Sequence, residues 1–456
     1  MVMYHPAFFT FVPMDKLPEP FKARIASNPF FGQGLIEALQ GNAPVSVRMN
    51  PSKKPIERWD DMQEISWCQH AYHLQNRPSY VRDPLFHAGT YYPQEAGSMS
   101  IDWIVRQLSL PEEPVLLDLC AAPGGKSTLL MSYLQGKGTL VANEVIPSRA
   151  SILMENCTKW GGKNALVTQN DPTDFQALHA VFDLVLVDAP CSGEGMFRKD
   201  PNAIEQWTPN AHAHCAARQN RILDSIVNSI KLDGYLIYST CTFHEAENEE
   251  QVHRLLLDYD LELVDVDLPQ GAITGKNGLG FYCLPSNMKT EGFYCAVLRN
   301  RKEQVYARKH SKNNRRKDIK MSLSSLKEWV EIKDDNLYQS GDSLHQLNEK
   351  TSNILALFLP HLRFRKTGTC LGNDLGKGWI PSPELALDSR IQHRYPTMEV
   401  EQAEALKYLR GETFPVSHGS GFRIIAYDGV ALGFLKVIGN RFNNLYPKPW
   451  RIRMRL

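Results

Sequence analysis

Two cysteines stand out by what surrounds them. Cys191 lies in Asp188-Ala-Pro-Cys-Ser-Gly-Glu-Gly195 and Cys241 in Ser239-Thr-Cys-Thr242, each directly after an apolar run that reads as a buried strand. A lone cysteine is ordinarily a small apolar core residue. Two of them just past strand ends, flanked by proline, glycine and hydroxyl residues, are instead placed for chemistry. Upstream, Cys120-Ala-Ala-Pro-Gly-Gly-Lys-Ser127 runs from a strand into a helix. Its glycines let the backbone approach a ligand, and the helix start offers free N–H groups to a negative group. Carboxylates recur at successive strand ends: Asp118, Glu144, Asp171 and Asp188. Glu144 follows Gly125 by 19 residues, near the ~20-residue offset at which an acid meets ribose hydroxyls. Gly-Lys-Ser invites a nucleotide phosphate loop, but Cys120 occupies the place where that loop needs its first glycine, and no Gly-x-Gly-x-x-Gly is present. S-adenosylmethionine fits better than ATP or a dinucleotide. A thiol beside a methyl donor has a definite use: cytosine C5 is a poor nucleophile until a thiolate adds at C6 and turns the ring into an enamine.

The elements that must hold these residues are legible. VLLDL (115–119), TLVANE (139–144), ALVTQND (165–171), FDLVLVDAP (182–190) and GYLIYSTCT (234–242) read as strands buried on both faces. LELVDVDL (261–268) and GFYCAVLRN (292–300) are candidates to close the sheet. The stretch 211–232 reads as a helix stopped by Asp233-Gly234. Strand and helix alternation of this length predicts a doubly wound, Rossmann-like α/β domain over 111–300, with ligands beyond the carboxyl ends of its strands. Residues 1–110 are expected to form an N-terminal α+β domain that binds RNA, 301–320 a basic linker, and 321–456 a C-terminal RNA-binding region ending in a β-rich module. In that module Asp428-Gly429 suits a tight hairpin.

Composition is that of a globular protein: 456 residues, 43% hydrophobic, 22% charged, net charge +1. Nine scattered cysteines without a Cys-x-x-Cys pair point away from a disulfide framework or a zinc knuckle and towards a reducing, cytoplasmic compartment. No apolar run reaches the length of a membrane span, and the N-terminus lacks a signal-peptide pattern. Between Arg299 and Lys320 ten Lys and Arg stand against Glu303 and Asp318. Such a run binds polyanions or is a solvated linker. Lys448, Arg451, Arg453 and Arg455 form a second basic cluster.

These motifs together resemble the Sun-type RNA cytosine-5 methyltransferases: Tyr91-Tyr-Pro-Gln-Glu95, Cys120–Ser127, Asp188–Gly193, Gln219–Leu223 and Ser239–Thr242. Leu17–Phe21, Val47–Asn50, Gly193–Pro201, Ser382–Leu387 and Asn444–Lys448 resemble the bacterial, RsmF-like small-subunit branch, whose C-terminal part is a PUA-like RNA-binding domain. Ser127 stands where the family usually has Thr. The resemblance implies transfer of methyl from S-adenosylmethionine to cytosine C5 in small-subunit (16S) ribosomal RNA by a monomer acting on RNA or the 30S subunit, with no metal. Cys241 would attack, Cys191 would assist release, and Asp188 would hydrogen-bond the cytosine as charge builds on the ring. Cys120, Ala121, Pro123, Gly124, Gly125, Lys126 and Arg149 would line the donor site, with Glu144 at the ribose, Asp171 at the adenine and Asp188 beside them. Arg198 and Lys199 are candidates for phosphate contact or for a solvated loop, while Trp160 and Trp207 read as core. A transfer RNA target and a non-catalytic assembly factor are the competing readings.

Overall fold

The computed structural model describes residues 17–53, 59–302, 323–332, 336–376 and 378–454. The basic run beyond Lys302, and with it the expectation of a phosphate-binding linker, lies outside the described residues, as does Arg455.

At the centre stand β1 (Val115–Asp118), α1 (Gly125–Leu134), β2 (Thr139–Asn143), α2 (Pro147–Trp160), β3 (Ala165–Thr168), β4 (Phe182–Asp188), α3 (Ala211–Ile226), β5 (Ile230–Thr240), α4 (Glu249–Asp258) and β6 (Phe293–Asn300). The strands lie in the order β6-β5-β4-β1-β2-β3, with β1 to β5 parallel and β6 antiparallel to β5. This is the Rossmann-like arrangement that the β-branched, uninterrupted runs demand: all four residues of β1 and of β3 are buried, so each strand needs cover on both faces. Two apolar clusters supply it, one around Phe182, Leu223 and Tyr238, the other around Leu116, Leu130 and Trp160. Strand order reverses between β1 and β4, and ligands enter such sheets at that crevice.

Two local expectations are corrected and one element is added. The helix α3 stops at Ile226, and β5 begins at Ile230, so Asp233-Gly234 is a bulge inside a strand rather than a helix stop. The bulge is held by Lys231 on Asp183 (2.7 Å) and by Arg299 and Arg301 on Asp233 (2.9 and 2.6 Å), where β4 and β5 shift register. Of 261–268 only Leu261–Leu263 pairs, with β6; Val264, Val266 and Leu268 pack on the apolar cluster instead. The added element is β7 (Phe364–Thr367), from the C-terminal part, which pairs antiparallel with β3 and closes that edge of the central sheet.

The N-terminal part carries a four-stranded sheet with Val45–Met49 between Ala71–Leu74 and Tyr91–Pro93. Two further four-stranded sheets belong to the C-terminal part, and the second contains the expected hairpin, Gly419–Tyr427 with Val430–Gly439. Asp428 and Gly429 both take positive φ (53° and 73°), as the two-residue hairpin turn requires. Val47, Leu85 and Tyr91 share one apolar cluster with Tyr408, Leu435 and Phe442, so the two ends of the chain have a common core. Among the described residues no helix is long and apolar enough to cross a membrane.

Candidate active site

The carboxyl ends of β1, β2, β4 and β5 lie on one edge of the sheet, and bring Cys120–Ser127, Glu144, Asp188, Cys191 and Cys241 to it. Cys191, just past β4, and Cys241, just past β5, face each other with their sulfurs 3.2 Å apart, both partly exposed. The hydrogen bond to Cys241, together with burial, pushes the Cys191 thiol well above its ordinary value.

One strand end away, Asp188 accepts from Lys126 Nζ at 2.8 Å and from Ser239 Oγ at 2.8 Å. Burial alone would lower the Lys126 ammonium, but Asp188 overrides it and holds the group above its ordinary value. Lys126 also lies 5.1 Å from the ring of Phe293.

The donor loop is fixed by its neighbours. Gly124 has φ 115°, and a Cβ there would meet Leu153 and Asn156 of α2 at 3.3 and 3.4 Å; only glycine opens α1 in this way. Asn156 Nδ2 donates to Pro123 O (2.8 Å), and Arg149 donates to Ala122 O (2.7 Å) while pairing with Glu144 (3.2 Å). Glu144 is 2% exposed and its other oxygen accepts from Ile146 N–H (2.9 Å). Asp171 caps the turn that follows it through Thr173 N–H (3.1 Å) and meets Arg221 at 3.3 Å. Below the loop Asp118 accepts from Ser127 Oγ at 2.6 Å, and its other oxygen, fully buried, has no partner among the described residues. Burial pushes this carboxyl up to about 7. Cys120 and Ala121 line the same turn, Ala121 at 5% exposure. The left-handed glycine at the helix start, the acid after β2 and the unpartnered buried oxygen beneath the loop fit an adenosyl donor.

Groups to which the sequence reading gave no role hold the thiols in place. Glu247 accepts from Ser192 N–H (2.9 Å), Ser192 Oγ (2.6 Å) and Gln219 Nε2 (3.1 Å). Gln219, on α3, also donates to Pro190 O (3.0 Å). Ser192 Oγ lies 2.7 Å from Thr242 Oγ1, which ties the two thiol loops together. Asn248 accepts from Thr240 Oγ1 (2.6 Å) and donates to Thr242 O (2.9 Å), bracing both sides of Cys241. The signal was the run Glu247-Asn248-Glu249, acid, amide and acid just after a reactive strand end. Glu194 joins a third part: it accepts from Arg24 (2.5 Å), Phe243 N–H (3.2 Å) and Trp207 Nε1 (3.2 Å). Arg198 is partly buried and already has protein partners. It is engaged by Glu291 (2.8 Å), Ala38 O (3.0 Å) and Thr290 O (2.5 Å). Trp160 is core, 3% exposed, while Trp207 is partly buried and packs edge-on against Phe21 and Phe197 at the margin of the core.

Three family models match in succession: the N-terminal domain of 16S rRNA methyltransferase RsmF over residues 17–96, 16S rRNA methyltransferase RsmB/F over 105–299, and the methyltransferase RsmF PUA domain over 395–452. The chain is 27% identical to the ribosomal RNA small subunit methyltransferase F of Aliivibrio salmonicida, over 88% of this chain and 90% of that protein. It is 29% identical to the protein of the same name from Shewanella woodyi, over 84% of each chain. A methyltransferase homolog protein from Pyrococcus horikoshii superposes with a TM-score of 0.54 at 25% identity, over 63% of this chain and 98% of that one.

Proposed function

This chain belongs to the 16S rRNA methyltransferase RsmB/F family, and we propose that it works through a covalent bond between Cys241 and C6 of the target cytosine, with Cys191 serving release. It is an S-adenosylmethionine-dependent RNA methyltransferase that acts on cytosine C5 in small-subunit ribosomal RNA. The observation that carries the mechanism is the thiol pair, 3.2 Å apart, at the strand ends next to the donor loop.

When bound, the donor supplies an electrophilic methyl group on its sulfonium. The chain's own residues do the rest. Glu144 and Arg149 hold the ribose side of the donor site, Asp171 the adenine side, and Cys120, Ala121 and Pro123 to Gly125 shape the turn. Cys241 adds to C6, and the electron pair moves to C5, which takes up the methyl group. Asp188 hydrogen-bonds the ring while Lys126 offsets charge building there. The C5 proton must then pass to the medium before the Cys241–C6 bond breaks, and Cys191, beside the attacking sulfur, promotes that release step. Every group the reaction needs is on one chain, as a monomer requires. We read the physiological substrate as the RNA of the 30S subunit, met in the cytoplasm, where that substrate resides. The domain reading is the one set out from the sequence, with RNA-binding parts on either side of the 111–300 core.

The two thiols are separable by experiment. Cys241→Ala should abolish both methylation and any covalent RNA adduct. Cys191→Ala should methylate once and then accumulate as a protein–RNA adduct stable in denaturing gels. An adduct that survives loss of Cys241 and requires Cys191 overturns the assignment.

A further inference from the structure

A cleft of about 610 Å³ opens where the N-terminal part, the donor loop, α2, the end of the Cys191 loop and the C-terminus meet. Its walls include Arg77, Tyr80 and Phe86 from the N-terminal part, Pro123 of the donor loop, Lys199, and Trp450 near the C-terminus. We propose that this cleft seats unpaired RNA nucleotides flanking the target cytosine, with Tyr80, Phe86 and Trp450 offering rings to the bases and Arg77 and Lys199 meeting the phosphates. The proposal rests on the RNA substrate of the preceding reading.

Charge is the first support. The carboxylates that line the cleft are already engaged: Glu95 by the N–H groups of Gly97, Ser98 and Glu291 (2.7, 2.7 and 2.9 Å), Glu291 by Arg198 (2.8 Å), and Glu155 by Lys159 (2.5 Å). The rim carries the cations Arg77 and Lys199, both exposed. The Arg77 guanidinium lies 5.8 Å from the Tyr80 ring, and Lys159 5.7 Å from the Trp450 ring, so cations and aromatic faces are interleaved. That combination recognises single strands, because every base has a π-face and every linker a phosphate. A duplex hides those faces. The volume falls within the ~300–1,000 Å³ of small-molecule pockets and admits splayed nucleotides rather than a helix.

Continuity is the second. Pro123 belongs to the loop that holds the donor, and Lys199 closes the loop that carries Cys191. A strand whose target base lies between the thiols and the donor therefore has this cleft beside it. The shared apolar core of the two chain ends fixes the walls relative to each other, so the seat is formed before RNA arrives.

The test uses the full chain with a short single-stranded oligoribonucleotide and, separately, the same sequence as a duplex. The double variant Arg77→Gln, Lys199→Gln should weaken single-strand binding about tenfold and flatten the slope of its salt dependence by about 0.7 for each phosphate no longer neutralised. The loss should be carried by KM for RNA rather than by kcat, with donor affinity by calorimetry unmoved. Trp450→Leu should weaken the same binding and Trp450→Phe restore most of it, while duplex binding changes in neither. Equal single-strand affinity in the double variant and in Trp450→Leu to that of the wild type overturns the proposal. So does unchanged affinity for naked RNA with activity lost only on the assembled subunit, which would make the occupant a ribosomal protein. Wild-type methylation of the oligonucleotide and of the 30S subunit is measured alongside. Methylation of either with unaffected variants sinks the cleft alone, and its absence on both, together with absence of any adduct, sinks the RNA reading beneath it.

Discussion

Glu247 is the residue whose burial has the most consequence. Burial pushes its carboxyl from the ordinary 4.5 up to about 7, against the opposing hydrogen bonds from Ser192 and Gln219. Glu194, Cys191, Cys215 and Tyr238 are titratable groups around it. A raised carboxyl means the folded chain keeps a proton that the unfolded chain releases between about 4.5 and about 7. The stability it contributes is therefore complete below the lower value and is lost as pH rises through the upper one. Against Glu247→Gln, which does not titrate, the wild-type unfolding free energy should decline with pH in that window, by at most about 1.4 kcal/mol per unit; a pH-independent difference in denaturant melts refutes it. Glu144 makes a second case. Its two oxygens already hold Arg149 and the Ile146 N–H, so it is oriented before the donor arrives. Glu144→Ala should cost about 1–3 kcal/mol of S-adenosylmethionine affinity, read by calorimetry, and unchanged affinity removes it from the donor site.

At the scale of elements, the site depends on a loop pressed against a loop. Gly195 N–H donates to Cys241 O at 2.8 Å, and a Cβ on Gly195 would come to 2.8 Å from Gly292 O and 2.9 Å from Cys241 O. Those are backbone atoms of β6's entry and of the nucleophile's own turn, and neither yields without moving the thiol. Gly195→Ala should lower methylation at least tenfold and cost about 1–3 kcal/mol of stability. A variant with full activity and an unchanged melting temperature would show that the loops part more easily than their spacing indicates.

At the scale of the molecule, the ends of the chain and its centre form one mechanical unit. Arg48, 2% exposed on the strand Val45–Met49, donates to Gly125 O (3.1 Å), Thr128 Oγ1 (2.6 Å) and Gln94 Oε1 (3.1 Å), so the N-terminal sheet clamps the start of α1. The same sheet shares its apolar core with the C-terminal hairpin. Read from the sequence as a separate module, the C-terminus would cost RNA affinity more than donor affinity when removed. In the folded chain, truncation after Arg410 strips Val430, Leu435, Phe442 and Tyr446 from the core that supports Val47. It should lower the melting temperature and weaken donor binding along with RNA binding. Scanning calorimetry and a donor titration check this, and donor affinity retained in full would show that the clamp stands without its C-terminal support.

Much of the chemistry was legible because it is local. Apolar runs specify buried parallel strands, such strands in alternation with helices specify a doubly wound sheet, and that sheet delivers Cys120–Ser127, Asp188, Cys191 and Cys241 to one edge wherever the rest of the chain goes. The bulge at Asp233-Gly234 was misread because its cause is non-local: the pairs Lys231–Asp183 and Arg299–Asp233 join residues far apart in sequence. The same holds for Glu247 under Ser192, for Arg24 on Glu194, for β7 against β3, and for the core common to both chain ends. A spacing rule sees the period of one element, and a buried ion pair or a shared apolar cluster exists only once two elements meet. The sequence by itself thus determined which side chains are chemically able and on which sheet edge they stand. Tertiary structure alone decided what orients them, because the desolvation that makes those contacts strong is a property of the packed chain.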